Sequence, residues 1–122
     1  MGNAPPNRAN FEQVRGTIIS VLGPDEQDLL IGGTVPCADE CPQVELAISR
    51  REPIVVYGFN AHDDRIYAKY EQLRKLGGDP RLYLGGLFEW LLLQDFYGAD
   101  QFPTTAKSAD LLKYKPRPLL KK

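Results

Sequence analysis

Ile54-Val55-Val56-Tyr57-Gly58-Phe59-Asn60-Ala61-His62-Asp63-Asp64 is the stretch of this 122-residue chain that decides its fold. Its first four residues are β-branched or aromatic, with no polar residue among them. A strand with one wet face alternates apolar and polar residues, whereas an unbroken apolar run marks a strand covered on both faces. Pro53 to Phe59 therefore reads as a central strand, and Gly58 to Asp64 as the loop it opens into. After the loop, Ile66, Tyr70, Leu73 and the neighbouring Leu76 fall on one face of a helix over 63–76. Asp63 or Asp64 can cap its start, and Gly77-Gly78 ends it.

The flanking segments repeat this alternation. Gly16 to Leu22 is apolar and β-branched, bounded by Gly16 and Gly23-Pro24, and reads as a buried strand. Asp25 to Asp28 suits a short helical turn, and Thr34-Val35 a second strand cut off by Pro36. Pro42 to Ser49 carries Val44, Leu46, Ala47 and Ile48 behind a proline in the first turn, as a short amphipathic helix does. Arg81 to Leu84 reads as another strand, and Leu87 to Tyr97 as a mostly buried helix closing at Gly98. Strands alternating with helices of this length imply βαβ units and a parallel sheet, hence an α/β fold.

At this length the chain makes one domain with a real core. Residues 1–10 are polar and rich in Pro and Asn, which predicts a disordered lead-in before a domain over 11–112. The formal charge of −1 gives no global attraction to nucleic acid. That mean hides an asymmetry, because from Lys107 onward six cations face the single acid Asp110. Residues 113–122 form a basic tail whose Lys113, Lys115, Arg117, Lys121 and Lys122 could dock on an acidic protein surface or on anionic lipid. A solubilising end is the alternative for these charges. No run approaches the ~20 apolar residues of a membrane span. The N-terminus lacks an apolar signal core, and Pro6 spoils a myristoylation pattern begun by Gly2. Two cysteines make no disulfide framework, so a reducing cytoplasm is the expected setting.

Ligands of a parallel α/β sheet bind beyond the carboxyl ends of its strands, where Gly58, Phe59, Asn60, Ala61, His62, Asp63 and Asp64 fall. The following helix aims its unpaired N–H groups and positive dipole end into that loop, which favours an anion. Asp63 and Asp64 would compete for the same donors, so a solvent anion should bind weakly. These two acids serve either as a cap and a first-turn residue or as a functional acidic pair. His62, the only histidine, is either solvated or a base with an acidic neighbour. Cys37 and Cys41 are the only thiols, and their spacing with Asp39 and Glu40 between them suits neither zinc nor a low-pKa nucleophile. No metal or other cofactor is expected.

The order of these pieces resembles the single-domain rhodanese, or sulfurtransferase, family over about Phe11 to Phe96. The carrying segments are the strand and loop 54–64, Leu30-Ile31-Gly32-Gly33-Thr34-Val35-Pro36, Ile18-Ile19-Ser20-Val21-Leu22, and Gly85-Gly86 with Trp90. The resemblance implies a mostly parallel five-stranded sheet flanked by helices on both faces. It also implies, in active members, a cysteine directly after the central strand that carries a persulfide in a cradle of backbone N–H groups. Here that position is Gly58, and the other departures, Leu30, Ser20 and Leu22, also replace charged or reactive residues. The implied function is a catalytically inactive module for binding, regulation or scaffolding, with a protein partner. Family precedent for inactive members extends to cytoskeleton-associated settings. The alternatives are a sulfurtransferase using Cys37 or Cys41 and an anion or small-molecule sensor. Neither partner nor oligomeric state follows from the sequence.

Overall fold

In the computed structural model, residues 16–107 and 111–116 are described. The sheet comprises β1 (Thr17–Ser20), β2 (Thr34–Val35), β3 (Pro53–Tyr57) and β4 (Asp79–Leu82). Its helices are α1 (Glu40–Ser49), α2 (Arg65–Lys75) and α3 (Gly86–Tyr97). Short 3-10 turns lie at Pro24–Glu26, Cys37–Asp39 and Leu111–Tyr114.

All pairings between named strands are parallel, in the order β2-β1-β3-β4. The apolar run thus becomes an interior strand, with Ile54, Val55, Val56 and Tyr57 buried. Its alternate residues feed two cores, as a period of two requires. Val55 and Tyr57 join Ile18 of β1 against Leu87, Trp90 and Leu91 of α3. Ile54 and Val56 join Ile19 against Val44 and Ala47 of α1 and Ile66 and Leu73 of α2. Helices therefore cover both faces of an α/β sheet that has four strands among the described residues.

Three expectations shift. The last strand begins two residues early, at Asp79, because Pro80 is tolerated on the edge strand β4, where its missing N–H costs no ladder bond on the open side. Leu76 lies past the end of α2 and is 59% exposed, since the backbone turns out through Gly77 at φ 92°. Lys113 and Tyr114, expected in the basic tail beyond the domain, belong to the 3-10 turn, and Tyr114 is buried. Residues 1–15, Arg117, Lys121 and Lys122 lie outside the described residues.

The carboxyl end of β3 rests on a closed polar network. The Tyr57 hydroxyl lies 2.7 Å from Thr34 Oγ1 and accepts the Ile31 N–H at 3.1 Å, while Thr34 Oγ1 donates to the Ile31 carbonyl at 2.6 Å. Burial pushes the Tyr57 hydroxyl up to about 12, so it stays a donor at any physiological pH. Ties of this kind fix where the chain leaves the strand. The segment 102–105 then runs antiparallel beside 30–32, bridging Ile31 to Thr104 and taking the Trp90 indole N–H on the Pro103 carbonyl at 2.8 Å.

Candidate functional site

The strand order changes direction between β1 and β3, the place where an open parallel sheet leaves a crevice at its carboxyl edge. Gly58 to Asp64 leaves β3 there. Its backbone is clamped by α3, whose Leu87 and Phe88 N–H groups donate to the carbonyls of Gly58 and Phe59 at 2.9 and 2.8 Å. Gly86, at φ 66°, makes this approach possible, because a Cβ there would lie 2.5 Å from the Gly58 carbonyl oxygen. The start of α3 is thus spent on holding the loop.

Asp63 fills the loop from inside. Its Oδ2 accepts the Phe59 N–H at 2.9 Å and Arg65 Nη2–H at 2.7 Å, and its Oδ1 accepts Arg65 Nε–H at 2.8 Å. Such a two-pronged guanidinium–carboxylate pair is among the stronger polar contacts in proteins. The third nitrogen, Arg65 Nη1, donates to Glu26 Oε1 at 2.9 Å, and that oxygen also accepts the Gly23 N–H at 2.8 Å. A continuous chain of charge-assisted bonds therefore runs from the Pro24–Glu26 turn to the loop. Burial opposes ionisation of Asp63, but the bonds from Arg65 and Phe59 outweigh it and hold the carboxyl below the usual range. The anion bound by this loop is its own side chain.

Gly58 is shaped to the same arrangement. A Cβ at this position would lie 2.5 Å from Asp63 Oδ2 and 2.6 Å from its Cγ. A cysteine placed after β3 would collide with the carboxylate unless Asp63 moved. Asp64 occupies the position before α2 but makes no side-chain cap bond; of the two acids expected to cap the helix it is Asp63 that does so, with its Oδ1 accepting the Arg65 backbone N–H at 3.4 Å while it also holds the loop. His62 is exposed, and its backbone N–H donates to Asn60 Oδ1 at 2.9 Å. Ala61 is exposed beside it.

A wall of the site comes from the far end of the chain. Asn60 Nδ2 donates to the Tyr114 carbonyl at 2.9 Å, the Phe59 and Tyr114 rings lie 5.5 Å apart, and the Arg65 guanidinium sits 5.4 Å from the Phe59 ring centre. Lys113 lies 5.5 Å from the Tyr114 ring and 4.0 Å from Asp28. Glu26, Arg65, Gly86 and Tyr114 were not among the site residues read from sequence. Arg65 two places after Asp63 and a tyrosine embedded among lysines were the signals available.

The thiols stand apart from this loop. Cys37 is half-buried, with its N–H 3.3 Å from Gln27 Oε1, and Cys41 is exposed on the rim of a groove between α1 and α2. Both are free, and Cys41 lines the α1–α2 groove, not the hollow that Phe59, Asn60, His62 and Asp63 line. Among the described residues, no three His, Cys, Asp or Glu side chains gather as a metal site, and no helix is long and apolar enough to cross a membrane.

Comparison with known protein families, with curated proteins and with solved structures finds no match to this chain. Fold and geometry alone define the class, an α/β protein with a parallel sheet whose switch-point loop is closed by an internal carboxylate.

Proposed function

We propose that this chain is a rhodanese-like module without the loop nucleophile, and that it works by binding rather than by sulfur transfer. The five-stranded rhodanese form of the α/β fold and a reducing cytoplasmic setting are parts of this proposal. One observation carries it. The space that a Gly58 side chain would enter is occupied by Asp63, which also takes the Phe59 N–H. Persulfide chemistry needs a thiolate in a cradle of donors, and here a carboxylate sits in its place. A negative charge at that point would also repel thiosulfate or another anionic donor.

The rival that uses Cys37 or Cys41 lacks a comparable cradle. Cys41 is exposed on the rim of a groove lined by Val44, Ile48, Leu73 and Leu76 together with Glu40 and Glu45. The anion-sensor reading meets the same obstacle as catalysis, since Asp63 is already held by Arg65.

The test is sulfurtransferase activity of the purified chain with thiosulfate and with 3-mercaptopyruvate, beside Cys37→Ser and Cys41→Ser. All three proteins should match the uncatalysed rate. Turnover by the natural chain that disappears in either serine variant would overturn the proposal and identify the working thiol.

A further inference from the structure

We propose that the hollow between the 58–64 loop and the 111–114 turn is a receptor for an acidic peptide segment of a partner protein, an inference that rests on the binding-module reading above. The hollow has a volume of about 340 Å³ and is lined by Phe59, Asn60, His62, Asp63 and Arg65 from the loop side and by Lys113, Tyr114 and Lys115 from the turn side. Its two walls are 54 residues apart in sequence and are joined by the Asn60 side chain on the Tyr114 carbonyl. This is a built depression rather than a gap beside a loose tail.

Its charges are unequal. The Arg65 guanidinium is spent on Asp63 and Glu26, so the charge the hollow can offer is that of Lys113 and Lys115. Lys113 is 62% exposed and meets Asp28 only at 4.0 Å, a separation at which an exposed pair contributes little. Lys115 makes no ion pair among the described residues. The hollow thus presents positive charge in a chain whose net charge is −1.

The rings of Phe59 and Tyr114 supply an apolar wall 5.5 Å apart, centre to centre, beside those cations. A peptide can use both features, laying aliphatic or aromatic side chains on the rings and placing carboxylates against Lys113 and Lys115. Nucleic acid fits less well. It needs a basic track following many phosphates, and the acidic body of this chain would repel the rest of such a polyanion.

A fluorescein-labelled decapeptide of Glu and Asp with two Phe residues, titrated with the full chain and followed by anisotropy, tests the proposal. Lys115→Glu and the Lys113→Glu/Lys115→Glu pair should weaken binding at least about fivefold, and the natural affinity should fall as salt rises. Lys107→Glu, an exposed cation outside the hollow, should stay within about twofold. Unchanged melting temperatures would exclude unfolding as the cause. No peptide binding, equal losses in Lys107→Glu, or tighter binding to single-stranded poly-U or to phosphatidylserine vesicles would overturn the proposal. Failure here with the natural chain silent toward thiosulfate removes the hollow and leaves the module reading standing. Sulfur transfer by the natural chain with peptide binding intact does the reverse.

Discussion

On one face of the sheet α3 buries Leu87, Trp90, Leu91 and Leu93, while on the other α1 and α2 bury Val44, Ala47, Ile66 and Leu73 yet leave a groove open between them. The α3 face is also the tied one. Trp90 and Gln94 donate to the 102–103 backbone, Leu87 and Phe88 hold the loop, and Tyr57 links β3 to the entry of β2. The groove face has apolar Ile48 and Leu76 on its walls and few polar ties beyond the Lys69–Glu40 ion pair. Buried polar bonds that cross between distant segments specify one arrangement, whereas apolar contact alone tolerates several. The loop is therefore mounted on the face of the molecule that is best specified.

The largest expected effect follows from that asymmetry. Trp90 is buried, meets Tyr83 and Phe102 edge-on and donates to Pro103, so Trp90→Ala should cost about 3–5 kcal/mol in urea unfolding. Leu76→Ser, on the exposed lip of the groove, should stay within about 0.5 kcal/mol. Equal costs at the two positions would erase the contrast between the faces.

A smaller effect concerns the loop. Because its bonds hold the Asp63 carboxyl below the ordinary value, the stability it contributes is complete above the unfolded-state pKa, about 3.9, and is lost as pH falls through the lower folded value. Asp63→Asn should therefore lower stability at pH 7 by about 1–2 kcal/mol and flatten the acid limb of the stability curve below about pH 4. Glu26, also held low by the Gly23 N–H and Arg65, keeps part of that limb. An acid limb unchanged by the substitution would show that Asp63 is not bound as described.

The fold was legible where local pattern sufficed. The unbroken run 54–57 announced a strand buried on both faces, and the spacing of Ile66 and Leu73 announced the helix face that covers it. The inward turn of Asp63 was not legible, since it depends on Arg65 being held by Glu26, 39 residues earlier in the chain. Tyr114 escaped for the same reason, because a basic, proline-rich end gives no local sign that a ring returns to Phe59. The last strand was read over Arg81 to Leu84 but runs over Asp79–Leu82, with Pro80 accepted on the sheet edge. The loop 58–64 was located correctly at the strand's carboxyl end, but its chemistry was set by contacts that no local window contains.

Asp63 occupies the place a loop cysteine would need, and persulfide loading from thiosulfate, read by intact mass on a Cys37→Ser/Cys41→Ser background, tests this. Gly58→Cys alone should remain unloaded, because its Cβ falls 2.5 Å from the carboxylate, and Gly58→Cys with Asp63→Ala should gain the 32 Da of one sulfur. Full loading of Gly58→Cys with Asp63 still in place would contradict the account.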